Sequence, residues 1–386
     1  MPTRLVRAAQ VSELDAGRWR ELAGGALEPN PYYEADFVVP WARHTPQWAD
    51  LEVLLLERGG TLVGAVPVRA EPRWRRLPVR VLRSLPMALD TPLVDRGEAE
   101  AAVEELAFEL VDLARRRRAR LVVFESVVEQ GALARRLGAC LASAGLAPRR
   151  WHSWERPVLF RHDPAPPPGR ERSNLQRKAR RLAEALGGQL EVVDRAGSPQ
   201  AVEALLRLEA SGWKGRAGTA MACRGQDARL FEEVCRRFAA QGRLQLLCLE
   251  AGGRTLAVDC RLHSGEGLFA FKTAYDESWA RLSPGNVLHL MAVDHLEATG
   301  ASWVDSCTSP EFSEVLGRLW PSRRRLSTWI VPVDTGLTRL LAAGAVAGRR
   351  TYGSLPRSLA ARHEGSERHL PFTLTSAARR LRFGPA

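Results

Sequence analysis

Lysine is nearly absent from this chain. Of 56 basic residues in 386, only Lys178, Lys214 and Lys272 are lysines, and the rest are arginines. A guanidinium stays charged under all ordinary conditions, whereas a buried ammonium shifts its pKa readily. Each retained lysine is therefore either a chance survivor or a group whose titration matters. Metal-binding patterns are missing too. Cys140, Cys223, Cys235, Cys248, Cys260 and Cys307 show no Cys-x-x-Cys or Cys/His spacing of the kind a zinc site needs, so the expectation is no metal and mostly small core cysteines. Long apolar runs are the third absence. No apolar segment follows Met1-Pro2-Thr3-Arg4, and Leu340 to Gly348 is far too short to cross a bilayer. The expectation is a soluble, cytoplasmic protein with no stable membrane span.

What is present is an excess of positive charge, +12, on a chain with 45% hydrophobic residues. That is a globular composition long enough for two domains, with an attraction for polyanions: CoA, an acidic carrier protein, RNA or anionic lipid. Part of the excess, Arg115 to Arg118, falls where an amphipathic helix should end, and cations there complement the helix dipole.

An internal repeat gives the architecture. Leu51 to Gly60 (LEVLLLERGG) aligns with Leu244 to Gly253 (LQLLCLEAGG) at six of ten positions, and Thr-Leu follows in both. Each Gly-Gly joins two apolar runs, a β-hairpin signal. After each hairpin come a strand, an amphipathic helix and another strand. These are Val79 to Leu85, the Val103/Leu106/Leu110/Leu113 stripe and Leu121 to Phe124 in the first copy. In the second they are Leu268 to Ala274, the Leu288/Met291/Leu296 stripe and Ser302 to Asp305. The fold class expected is α/β (α+β): two tandem domains, each a mixed, mostly antiparallel sheet flanked by helices. The expected division is an N-terminal domain over 1–162, a Pro-rich linker over 163–170, a C-terminal domain over 171–335 and an Arg-rich tail over 336–386. Ser173 with Gln176 predicts a capping box opening a basic helix, Ser198-Pro199 starts another, and a third spans Asp227 to Ala240.

Residues 271–290, FKTAYDESWARLSPGNVLHL, read as a strand joined to a helix by a Ser-Pro-Gly turn. Helix N-termini carry unpaired N–H groups and a partial positive charge, so this turn is a candidate phosphate site. Along Thr255 to His263, alternation puts Asp259, Arg261 and His263 on one strand face. If Ser264 to Gly267 is a four-residue loop, His263 faces Leu268, Arg261 faces Ala270 and Asp259 faces Lys272. The Asp259/Lys272 pair is then either part of a catalytic site or a cross-strand ion pair. A second cluster, Glu209, Trp213 and Lys214, lies where a helix gives way to a Gly-rich loop that could close over a ligand, unless Trp213 simply plugs the core. Asp305, Ser306 and Cys307 end a strand, where chemistry gathers, but nothing nearby in sequence would make Cys307 a thiolate.

The ordered motifs GWKGRAGTAM (212–221), FKTAYD (271–276), SPGNVL (283–288), WVDSCTSPEF (303–312) and LWPSRRRL (319–326) carry a resemblance. They are similar to a large GNAT-related group of bacterial proteins that includes acetyltransferase-like proteins associated with cellulose biosynthesis. More distantly, the chain resembles the Fem-type aminoacyl-tRNA-dependent peptidyl transferases. The likeness is strong over about 170–335 and weak over 1–160, where NPYYEADFVVPWA (30–42) contributes. The resemblance implies an active C-terminal half, a degenerate N-terminal half and an acyl-CoA co-substrate, acetyl-CoA foremost. The thioester's arm would lie along Leu268 to Tyr275 and its pyrophosphate at Arg281, Ser283, Gly285, Asn286 and Val287. The usual Gln/Arg-x-x-Gly-x-Gly/Ala loop is absent; RLSPGN (281–286) only approximates it.

The first copy has Asp90-Thr91-Pro92-Leu93 followed by Asp95, Glu98 and Glu100 in place of SPGN, which would repel a pyrophosphate. The function expected is N-acyl transfer to an amine of a small molecule or peptide by direct attack. Asp259 or His263 would act as base, Tyr275 as acid and Lys272 beside the oxyanion, while Glu209, Trp213, Lys214 and Asp305 bind substrate. Two alternatives stand beside it: a Fem-like transferase using aminoacyl-tRNA, and a non-enzymatic accessory protein that keeps the fold.

Overall fold

The computed structural model describes residues 3–75, 78–163, 169–293, 295–309, 314–334 and 336. Most of the Pro-rich linker, the end of the 303–312 motif and the Arg-rich tail lie outside the described residues.

The first copy runs β1 (Thr3–Arg7), α1 (Glu13–Gly24), a 3-10 turn (Pro31–Tyr33), α2 (Ala35–His44), β2 (Glu52–Arg58), β3 (Thr61–Glu71), β4 (Val81–Ser84), β5 (Leu93–Val94), α3 (Ala99–Arg116), β6 (Leu121–Val128), α4 (Ala132–Ser143) and β7 (Arg149–Phe160). The second runs α5 (Arg170–Leu186), β8 (Glu191–Asp194), α6 (Pro199–Ser211), α7 (Trp213–Arg216), α8 (Gly225–Ala239), β9 (Leu244–Ala251), β10 (Arg254–Ser264) and β11 (Gly267–Tyr275). It continues through α9 (Pro284–Met291), α10 (His295–Ala298), β12 (Trp303–Asp305), α11 (Glu314–Leu319) and β13 (Ser322–Pro332).

Both hairpins form as the Gly-Gly turns require. Gly59 and Gly60 sit at φ 55° and 83°, and Gly252 and Gly253 at 55° and 74°. This left-handed pair is what a two-residue type I′ connection demands and what any side chain would disfavour.

The strands form one continuous sheet in the order β1-β2-β3-β4-β6-β13-β7-β12-β11-β10-β9-β8, with β5 beside β3. This order maps onto itself about its centre. In each half a parallel pair, β4/β6 or β11/β12, is followed by an antiparallel strand, and the two central strands pair from Ser322↔Val158 to Ile330↔Arg149. The strand beside β6 is thus β13, from the second copy, and the strand beside β12 is β7, from the first copy. The copies exchange their closing strands, so neither sheet is complete without the other.

The core is shared as well. One apolar cluster runs from Trp19, Phe37 and Trp41 through Phe231 and Phe238 to Phe269 and Phe271; another lies under α5 and α9 with Leu182, Val287 and Leu288. Helix α2 packs on α8, where His44 meets Glu233 at 2.7 Å and Asp36, fully buried, bonds Arg20 and Gln241.

Two local expectations fail. Helix α5 begins at Arg170 with Gly169 as its N-cap, so Ser173 lies inside the first turn, its amide bonded to the Gly169 carbonyl, and no capping box forms. The stripe Leu288, Met291, Leu296 belongs to two short helices, α9 and α10, and not to one. No helix among the described residues is long and apolar enough to cross a membrane.

Candidate active site at the fork between β11 and β12

Strands β11 and β12 pair only at Gly267↔Trp303, Leu268↔Val304 and Phe269↔Asp305. Past this last rung residues 270–275 of β11 keep β10 on one side and have no strand partner among the described residues on the other, which makes a fork. At its apex the Tyr32 hydroxyl donates to the Ala270 carbonyl at 2.8 Å. Tyr32 comes from the first copy, so the two copies build this fork jointly.

The β10/β11 register corrects the sequence reading. His263 faces Leu268 and Arg261 faces Ala270 as expected, but a bulge between Cys260 and Arg261 shifts the rest, so Asp259 faces Thr273 and Lys272 faces Cys260. A bulge opposes two residues to one and re-aims a side chain. Here Phe271 and Lys272 both turn toward α6 and α8, and the Asp259/Lys272 pair does not exist.

Asp259 instead sits fully buried on the opposite face. It accepts from Arg261 Nε and from Thr273 Oγ1, each at 2.7 Å, with His289 Nδ1 of α9 at 3.8 Å. Burial pushes its pKa upward, but Arg261, His289 and Thr273 together outweigh that and hold it below the ordinary carboxylate range. A carboxylate so held is a poor proton acceptor. His263 lies four residues further along β10, about 13 Å away, where its amide bonds the Arg243 carbonyl. His263 thus lies across from Leu268, at the closed end of the fork.

Lys272 joins the second cluster. It is 8% exposed and lies among Glu209 of α6, Lys214 of α7 and Asp227 of α8. Lys214 Nζ donates to Glu209 Oε1 at 2.7 Å, and the Met221 amide to Glu209 Oε2 at 2.8 Å. Burial and the neighbouring Lys214 lower the pKa of Lys272 to about 8, against the attraction of Glu209 and Asp227. Trp213 is only half-buried and does not plug the core. Its amide donates to Glu277 Oε1 and Arg216 to Glu277 Oε2, each at 2.7 Å, clamping the Gly-rich loop to the turn after β11. A Cβ on Gly215 would lie 1.6 Å from the Ala210 carbonyl oxygen. Gly215→Ala is therefore expected to force this loop apart at a cost of about 1–3 kcal/mol, read by urea unfolding.

The turn leading to α9 lies beyond the fork. Ser283 adopts φ 52°, a left-handed conformation unusual for a residue with a side chain, and its hydroxyl accepts from Lys178 Nζ of α5 at 2.8 Å. Gly285 lies beside the Tyr275 ring, where a Cβ would meet it at an ordinary contact distance of 3.4 Å. Gly285 and Asn286 occupy the first turn of α9, where a helix leaves amides without an intrahelical acceptor. Val287 is different: its side chain is buried and its amide already bonds the Ser283 carbonyl. Arg281 is exposed in the preceding 3-10 turn.

Asp305 is taken up by an internal charge cluster. It is fully buried, bound by Arg156 (Nε to Oδ1, 2.6 Å; Nη2 to Oδ2, 2.9 Å), by Arg324 at 2.6 Å and by the Cys307 amide. Burial and Asp305 push the Cys307 thiol up to about 12, so it is no thiolate nucleophile.

The matching fork in the first copy is filled by its own chain. Past β4, residues 85–90 fold back, and the buried Asp90 accepts from Ser84 Oγ, the Met87 amide and, across on β6, the Glu125 amide at 2.6 Å. The Asp90 amide bonds the Ser126 carbonyl, and Tyr33 Oη bonds the Leu85 carbonyl. Ahead of α3, the Asp95 carboxylate already takes the Gly97 and Glu98 amides. Where the second copy sets Lys178 beside the turn ahead of its helix, the first sets the Asp95 carboxylate.

Of these features, Lys272, Glu209 and Lys214 were visible in sequence as titratable residues in unusual company. Tyr32 and Asp227 were not singled out, because each reaches the site from a distant segment; Lys178 was noted only as a rare lysine, and Glu277 lay unremarked inside the 271–290 stretch. Among the described residues no group of three or more His, Cys, Asp or Glu could hold a metal.

Residues 169–312 match the family model described as an acetyltransferase (GNAT) domain. None of the curated proteins matches the chain. Among solved structures, the C-terminal domain of a putative lysylphosphatidylglycerol synthetase from Agrobacterium fabrum is similar at 14% identity and TM-score 0.55, over 87% of this chain and 96% of that one. FemX is similar at 10% identity and TM-score 0.54, over 89% and 100%. A conserved protein of unknown function from Bacteroides thetaiotaomicron is similar at 12% identity and TM-score 0.53, over 86% and 100%. At these identities the likeness is one of fold alone.

Proposed function

We propose that this chain, with its GNAT-like fold, is an N-acyltransferase that moves an acyl group, acetyl foremost, from a CoA thioester to an amine of a small molecule or peptide. We also propose that it divides into a degenerate N-terminal domain (1–162) and an active C-terminal domain (171–335). The carrying observation is the contrast between the forks, one open onto an α9 turn flanked by Lys178, the other closed by Asp90. An extended donor arm can pair with an open strand edge, and a pyrophosphate suits a helix N-terminus beside an ammonium. Ser283, Gly285 and Asn286, with Arg281 outside them, are the donor-binding residues in this reading; Val287 contributes only to the packing of the helix.

The chemistry is direct attack by the amine on the thioester carbonyl. A backbone amide of 272–275 on the open edge of β11 would stabilise the oxyanion. Tyr275 would return a proton to the leaving thiolate; burial and Glu277 raise its pKa, which keeps the phenol protonated for that task. The acceptor would enter between α6 and α8, past Trp213 and Lys214. Thermal-shift titration tests the reading. Acetyl-CoA at a hundredfold excess over its Kd should stabilise the protein by about 2.7 kcal/mol; stabilisation by tRNA but not by acetyl-CoA would replace it with the aminoacyl-tRNA reading. That second reading draws support from the net charge of +12 and from the FemX-like fold, and its binding should weaken steeply with salt. Stabilisation by neither would favour the accessory-protein reading.

A further inference from the structure

Asp259 and His263 are badly placed as bases, yet an amine must lose a proton to become an amide. We propose that Lys272 is the general base that takes this proton, and that Glu209 and Lys214 set its readiness to do so. The assignment rests on the acyl-transfer reading. Geometry comes first. Lys272 stands on β11 three residues beyond the last rung with β12, on the strand whose edge faces the fork. The bulge at Cys260/Arg261 turns it away from the Asp259 face into the space between α6 and α8. The Gly212–Arg224 loop beside that space is clamped by Glu277.

The charged and titratable groups around Lys272 are Glu209 of α6, Lys214 of α7, Asp227 of α8 and Cys260 of β10. Arg224 approaches Asp227 at 3.9 Å and draws on part of its charge. Lys214 disfavours the ammonium of Lys272 and Glu209 favours it, while the two are bonded to each other at 2.7 Å. With a pKa of about 8, a substantial fraction of Lys272 is neutral near pH 7.5 and can accept a proton. In the reaction the amine nitrogen bonds the thioester carbon and the carbon–sulfur bond breaks. The amine proton passes to Lys272 Nζ and the thiolate takes one from Tyr275. Lys272 then gives its proton to solvent and Tyr275 regains one from solvent, which restores both groups. An arginine could not do this, because it does not deprotonate.

The scarcity of lysine makes the test direct. In the full chain labelled with [13Cε]lysine, Lys178, Lys214 and Lys272 give three signals, assigned by single Lys→Arg replacements. Lys272 should titrate near 8. Lys214→Met removes a like charge and should move that titration to higher pH; Glu209→Gln removes an attraction and should move it lower. With acetyl-CoA as donor and a panel of primary amines as acceptors, the acidic limb of kcat/KM should follow both shifts. Lys272→Arg should lose at least about a hundredfold in rate while remaining folded. A Lys272 that titrates near the ordinary value of about 10.4 overturns the proposal. So does a rate profile that ignores both variants while Lys272 itself moves. A wild-type protein that neither binds acetyl-CoA nor acylates any amine sinks the acyl-transfer reading, and the base role with it, whatever Lys272 titrates at.

Discussion

Asp305→Ala should destabilise the protein by about 3–5 kcal/mol. The carboxylate is fully buried and is the counter-charge of Arg156, itself 2% exposed, and of Arg324. Removing it strands a guanidinium in the interior with neither solvent nor counter-charge. The effect reaches both copies, because Arg156 lies on β7, Arg324 on β13 and Asp305 on β12. The pH dependence has a definite sign. Burial raises the Asp305 pKa, but Arg156 and Arg324 outweigh it and the net shift is downward. Its stabilisation is therefore complete above the unfolded value of about 3.9 and is lost as pH falls through the lower folded value. Denaturant unfolding at neutral and acidic pH measures both effects. A variant as stable as wild type would mean that the exchanged strands do not depend on this cluster.

Lys178→Glu should weaken acetyl-CoA binding by roughly 10- to 150-fold, the equivalent of about 1.5–3 kcal/mol for a charge-assisted hydrogen bond. The lysine is held at Ser283 Oγ, 2.8 Å away, at the mouth of the α9 turn. A carboxylate there would repel a pyrophosphate and compete for the first amides of α9, as Asp95 does for the amides ahead of α3. Calorimetric titration with acetyl-CoA gives the answer. Unchanged affinity in the folded variant would move the donor away from this turn. Because Lys178 is only half-buried and on the rim of α5, the fold should survive the change.

Much of the architecture was legible before any coordinates because its signals are local. The Gly-Gly pairs specify type I′ turns on their own, and apolar periodicity found α3, α6 and α8. The Pro-Gly turn after β11 marked the start of α9. The helix signals failed where they depended on choosing between starts: Gly169 won over Ser173 as the cap of α5.

The candidate site was half legible. Sequence alternation correctly paired His263 with Leu268 and Arg261 with Ala270, then went wrong at a single bulge. One extra residue reverses the facing of everything beyond it, and nothing in the sequence of Phe271 and Lys272 announces it. The same limit hid Tyr32, which reaches Ala270 across 238 positions.

By itself, then, the sequence determined the doubling of the unit, its strand and helix order, and which residues were chemically unusual, since these follow from turn chemistry, periodicity and composition within a few residues. Only the tertiary structure decided that the copies exchange β7 and β13, that Asp305 is an anchor and Lys272 faces Glu209 and Lys214, and that one fork is open and the other closed. Those outcomes depend on pairing between segments far apart in the chain, where burial and charge are settled by neighbours that no local window contains.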